Sequence, residues 1–178
     1  MLKLQVDETT LWNEKEERFI EIPKTTLQLE HSLVSLSKWE SKWHKAFLQT
    51  QLTTEETLDY VKCMIMNNNV DSNVVYGLSD ENILEIKDYI SNPMTATWFT
   101  DNNKKESSEV VTSEIIYYWM ISLQIPFECQ KWHLNRLLTL IRVCNEKNAP
   151  KKNMSKREIA ERNRILNEQR KARYKSRG

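Results

Sequence analysis

A chain of 178 residues with 39% hydrophobic content and six tryptophans can bury one core of its own and carry a short appendage. Its two glycines exclude the dinucleotide fingerprint, the P-loop and the nucleophile elbow, each of which needs several glycines for tight turns or close backbone approach. The formal net charge of +1 hides an uneven distribution: residues 151–178 hold eleven Lys/Arg against three Glu, a balance of +8 that leaves −7 on residues 1–150.

The chain opens with extended signals. Leu2, Leu4 and Val6 alternate with polar residues, Arg18–Ile22 is β-prone and stopped by Pro23, and Thr26–His31 alternates with Leu27 and Leu29 on one face. These predict a small antiparallel sheet of two or three strands. After His31 the period lengthens to about 3.6. Ser37-x-x-Glu40 reads as a capping box, with Trp39, Trp43, Ala46 and Phe47 on one helical face behind it. Thr53-x-x-Glu56 is a second box, opening a helix with Leu58, Val61, Cys63, Ile65 and Met66 inward and broken by Asn67-Asn-Asn69. Ser79 and Asp80 cap a third helix carrying Ile83, Leu84, Ile86, Tyr89 and Ile90, closed by Asn92-Pro93.

Residues 100–108 are polar and loop-like. Val110 to about Leu123 is apolar nearly all round and predicts the central core helix. Pro126 forces a turn. Lys131 to about Asn145 then offers Trp132, Leu134, Leu137, Leu138, Ile141 and Cys144 for burial. Ala149-Pro150 closes the body. Ser155-x-x-Glu158 opens a last helix, Lys156 to about Tyr174, whose apolar residues are few: Ile159, Ile165, Leu166 and Ala172. The fold class expected is mainly α (α+β): a small N-terminal antiparallel β-sheet, a compact bundle of about five helices and a basic C-terminal helix. The acidic globular domain spans 1–150 and the basic arm 151–178.

The start of the chain has no long apolar stretch behind a basic residue, and no apolar run nears the roughly 20 residues that cross a bilayer. No membrane partner and a cytoplasmic location are therefore expected. Three widely spaced cysteines, an odd number, read as reduced and mostly buried thiols. Cys129-x-x-x-His133 with Cys144 resembles part of a zinc site but lacks a fourth ligand, so core cysteines and a satisfied histidine are the stronger reading. No cofactor is expected. No motif marks a catalytic geometry among the scattered Ser, Cys and His, and the chain reads as a non-enzyme.

Three features are candidates for partner binding. Trp39 and Trp43, four apart on a helix, form either a core stripe, the favoured reading, or an aromatic groove. Trp98-Phe99 is either a core plug or an exposed anchor. The arm presents Arg157, Arg162, Arg164, Arg170, Lys171 and Arg173. It suits phosphates or an acidic protein surface, the −7 body of the same or a neighbouring copy included; the remaining reading is a solvated terminus. Nucleic acid is the weaker partner because Tyr174 is the arm's only stacking platform.

The stretches Leu29–Glu40, Met94–Phe99, Ile115–Leu123, Trp132–Ile141 and Arg162–Arg173 together resemble the tail-assembly chaperones of bacteriophages with long non-contractile tails, the siphovirus-like group. These are packing and surface segments without a catalytic signature, and no functional residue is carried over from them. The resemblance implies a non-enzymatic protein of the host cytoplasm, absent from the finished tail. It would bind the tape-measure protein or another virion-assembly protein and self-associate. The alternatives are a structural virion protein, at the head–tail junction or in the tail, and a small nucleic-acid-binding protein using the arm.

Overall fold

The computed structural model describes residues 1–13, 17–99, 109–149 and 156–174. The expected 100–108 loop, Pro150 and the Ser155 cap lie outside these residues. Two compact units are present, Met1–Asn145 and Glu146–Gly178. The architecture is the mainly α fold with a small N-terminal β region that the sequence predicts.

Four strands are found among the described residues, where two or three were expected: β1 (Leu2–Val6), β2 (Thr9–Asn13), β3 (Arg18–Ile22) and β4 (Thr25–Leu29). They form two antiparallel pairs, β1 with β4 and β2 with β3. Leu4 opposes Leu27 and Leu2 opposes Leu29, so the period-two pattern places Leu4, Val6, Leu27 and Leu29 on one buried face. β2 escapes the alternation test because its apolar residues are not sunk in the core. Its pairing is instead marked by a cross-strand aromatic couple, Trp12 opposite Phe19 with ring centroids 4.9 Å apart. The lone internal glycine has a packing reason. A Cβ on Gly77 would sit 3.1 Å from Ile22 Cδ1 and Thr9 Cγ2, so glycine lets the 3-10 turn Ser72–Gly77 approach these strands.

Six α-helices follow among the described residues: α1 (Leu33–Trp43), α2 (Thr54–Met64), α3 (Asp80–Ser91), α4 (Ser113–Ser122), α5 (Leu134–Asn148) and α6 (Lys156–Tyr174). The Thr53–Glu56 box opens α2 as predicted, and Ser79 caps α3, with Asn82 completing its box. The start of α1 corrects the sequence reading. Its cap is Ser32, boxed with Ser35, and Ser37 lies inside the helix. The extra turn carries Leu33 and Leu36 into full burial, a gain the later start would forfeit. The inner face of α2 also differs. It is Glu56, Tyr60, Val61 and Met64, whereas Met66 lies beyond the helix and is exposed. There the chain turns extended and lines β4: Met66 N donates to Gln28 O (2.8 Å), and the Asn67 side chain accepts from Gln28 N (2.7 Å) and donates to Thr26 O (3.1 Å).

Two hydrophobic clusters lie in the first unit. One gathers the strands, α2, α3 and the Ser72–Gly77 turn around Trp39 and Tyr60. The other gathers α4, α5 and the Phe127–Lys131 turn around Leu33, Leu36, Ile116, Met120, Leu134 and Leu137. α1 contributes to both. Trp39 is wholly buried, donates its indole N–H to Glu56 O (2.9 Å), and packs edge-on against Phe47 at 5.2 Å. Trp39→Ala should lower the unfolding free energy by about 3–5 kcal/mol in urea titrations. Removing residues 151–178 should change it by less than about 0.5 kcal/mol, because surface changes away from the core sit in that range. Loss of the cooperative transition on truncation would mean the arm belongs to the core.

Candidate interaction surfaces

Trp39 and Trp43, for which a core stripe was the favoured reading over a groove, are used internally. Trp39 offers no surface to a partner. Trp43, stacked on it at 6.2 Å, is half-buried and donates its indole N–H to Asp59 Oδ2 (2.8 Å). Lys42 pairs with Asp59, Lys45 pairs with Glu56, and both ammonium groups lie within 5.8 Å of the Trp43 ring centre. Lys45, with the Thr53 N–H, holds the Glu56 carboxyl below its usual range. Burial would raise Asp59, but Lys42 and the Trp43 indole outweigh it and hold that carboxyl low. This corner of α1 and α2 is a structural ion-pair network.

Trp98 and Phe99 part company. Trp98 is 82% exposed, whereas Phe99 is half-buried with the Arg142 guanidinium 4.0 Å from its ring centre. The chain reaches Trp98 through a sharp turn: Met94 takes the left-handed region at φ 50°, and Asn92 Oδ1 accepts from Met94 N (2.8 Å).

The expectation of a central core helix at α4 is corrected. Ser113, Ile116 and Met120 face inward, but Tyr118 and Ile121 are 65% and 61% exposed, and Phe127 in the following turn is 53% exposed. Tyr117 continues the patch toward Phe127 with ring centroids 6.4 Å apart, its hydroxyl donating to Gln130 Oε1 (2.9 Å). A helix that is apolar all round does not say which side faces out. The signal was Glu114 and Ser122, whose helical positions flank Tyr118 and mark the wet side. The N-terminus of α4 is fastened by a buried carboxylate on α1: Glu40 accepts from Ser113 N (2.7 Å) and Phe47 N (2.9 Å). The outer face of α4 therefore stands on a rigid base.

The second unit carries the arm. Every α6 side chain that the structure describes is exposed, including Arg157, Arg162, Arg164, Arg170, Lys171 and Arg173. Arg164 pairs with Glu161 at 2.8 Å and lies 3.9 Å from Glu168. Ile159, Ile165, Leu166 and Tyr174 are open to solvent.

No group of three or more His, Cys, Asp or Glu among the described residues is placed to hold a metal. Cys129 is buried in the second cluster, and His133 is occupied by backbone. Asn135 N donates to its Nδ1 (3.3 Å), which leaves Nε2 to donate to Tyr89 O (3.0 Å) and makes the ring neutral. His31 lies beside it, ring centroids 5.0 Å apart, sharing a 2.5 Å hydrogen bond with the Tyr60 hydroxyl. Burial, aided by His133, lowers the His31 pKa to about 3, and burial lowers that of His133. Both pKa values rise on unfolding to about 6.5, so below that pH the unfolded chain takes up protons that the folded chain refuses. Stability should be level above about pH 7. For His31 it should fall by up to about 1.4 kcal/mol per pH unit between pH 6.5 and 4.5, before the depressed carboxylates begin to titrate, and the lowered His133 adds to the loss in the same direction. Thermal melts across this range should show the loss, and a His31→Gln variant should show a shallower one. An identical slope in the variant would remove His31 from the account.

No helix among the described residues is long and apolar enough to cross a membrane. Comparison with protein-family models, curated proteins and solved structures finds no match to the chain.

Proposed function

We propose that this protein is a tail-assembly chaperone of a long-tailed bacteriophage. In this reading it acts by binding alone, in the host cytoplasm, holding apolar helical segments of the tape-measure protein until the tail tube polymerises around it. The observation that carries the reading is the outer face of α4 with its following turn, where Tyr118, Ile121 and Phe127 are all more than half exposed. Large apolar side chains grouped on a rigid helix are costly in water and mark interaction surfaces. A partner helix can lay an i, i+3, i+4, i+7 stripe against such a face, which is how a long helical protein is covered segment by segment. Trp98 adds a further exposed anchor. The partner class itself comes from the sequence resemblance.

The exposed cations of α6 favour a second reading, a virion component whose arm touches DNA or a neighbouring subunit. Mass spectrometry of purified particles separates the two, because a chaperone leaves before the tail is complete.

Co-expression with a tape-measure protein from a long-tailed phage should raise that protein's solubility and allow the pair to co-purify. The double variant Tyr118→Glu, Ile121→Glu should lower the co-purified fraction about tenfold or more, as expected when central apolar anchors are lost. It should keep the parent's melting temperature, since both side chains point outward. If wild-type protein neither binds the tape-measure protein nor improves its solubility, the reading fails.

A further inference from the structure

Two helices, α3 and α6, carry complementary faces. α6 is 19 residues long, and all of its described side chains are exposed. At 100° per residue Glu161 and Glu168 fall on one side. The other side runs through Arg162, Arg173, Leu166, Ile159, Arg170 and Lys171. Ile159, Arg162, Asn163 and Leu166 stand at i, i+3, i+4 and i+7, the four positions that form a hole for a knob from another helix. A helix of this length without packing is marginal in water, so its order calls for a partner along that face.

α3 presents the matching knob. Leu84 is 60% exposed although Ile86 and Tyr89 on the same helix are buried. Around it stand Asp80, Glu81, Glu85 and Asp88, all exposed, against the single cation Lys87. Asp80 and Glu81 are explained by the helix dipole, which favours acids in the first turn. Glu85 lies beyond that turn, and Asp88 sits near the C-terminal end, where the dipole disfavours it. None of the four carboxylates makes an ion pair among the described residues. An apolar knob ringed by unpaired acids on one helix and an apolar hole ringed by arginines on another are complementary in both shape and sign.

We propose that α6 of one copy docks on the α3 face of a second copy, with Leu84 seated among Ile159, Arg162, Asn163 and Leu166. Asp80, Glu81, Glu85 and Asp88 then face Arg162, Arg170 and Arg173. The contact is heterologous, since each copy gives α6 and receives on α3; a reciprocal pair closes into a dimer, and a one-way arrangement propagates as a chain. It uses α3 and α6 alone, so it can fail while the reading built on α4 and Phe127 holds, and the reverse.

The test is a charge exchange on the full-length chain, read by sedimentation velocity over a range of concentrations. The wild type should self-associate at low salt and loosen as salt rises, because exposed pairs are screened beyond a Debye length of roughly 8 Å at physiological ionic strength. The triple variant Arg162→Glu, Arg170→Glu, Arg173→Glu should associate at least about tenfold more weakly, and so should Glu81→Lys, Glu85→Lys, Asp88→Lys. An equimolar mixture of the two should return to wild-type strength, because each reversed helix now meets a reversed partner. Leu84→Asp should weaken association without lowering the melting temperature. A wild type that stays monomeric at every concentration, or that associates while the mixture of variants does not recover, overturns the proposal.

Discussion

The capping of α5 by His133 is the contact on which the arrangement of this protein turns. Its ring accepts from Asn135 N and donates to Tyr89 O, while its backbone carbonyl accepts from Leu137 N (3.1 Å). One residue thereby starts α5 and ties it to the end of α3. The neighbouring chain reinforces the seam: Leu134 N donates to His31 O (2.7 Å), and Asn135 Nδ2 donates to Ile90 O (2.9 Å) and Asn92 O (2.8 Å). Without these bonds the first N–H groups of α5 would be buried and unsatisfied, each a cost of about 1–3 kcal/mol. The seam needs the His133 imidazole neutral, because its Nδ1 accepts from Asn135 N. The same burial that makes it specific also makes it sensitive to acid.

From this seam the division of labour among the aromatic residues follows. α1 lies between the two clusters, so one helix spends Leu33 and Leu36 on one side and Trp39 on the other. Trp43 is drawn in by Asp59. Tyr60 and Tyr89 give their rings to the first cluster and their hydroxyls to His31 and Glu30. The side chains left outside, Tyr118, Ile121, Phe127 and Trp98, belong to elements that had no second cluster to enter. The outer face of α4 stays open to solvent. Its base is held by Glu40, which accepts from Ser113 N at the start of α4 and from Phe47 N after α1.

Charge separates the second unit from the first in the same manner. Residues 1–150 carry −7, and some of their cations meet a carboxylate, as at Lys42 with Asp59 and Lys45 with Glu56. In α6 the balance reverses, with Arg164 paired to Glu161 and 3.9 Å from Glu168. The proposed role, covering a helical partner and assembling with its own kind, would use two such surfaces of different chemistry, one apolar and preformed, one electrostatic and adjustable by salt.

The order of elements was legible in the residues. Alternation at Leu2–Val6 and Thr26–His31, the Thr53 and Ser79 caps and the basic run after 150 each carry their own local physics, and strands, helix starts and the arm followed from them. Sequence by itself thus determined the fold class, the acidic body and the basic helix. Three matters lay beyond it. The first helix starts at Ser32 because Leu33 and Leu36 find a cluster that only the folded chain provides. β2 exists because Trp12 meets Phe19 across a strand pair. Which side of Ile115–Ile121 faces water depended on where α1 and α5 lie, since a segment apolar on every side contains no instruction about its orientation. Local periodicity can specify an element, but which of two apolar faces is covered is a property of the neighbours, and those are set by contacts far apart in the chain.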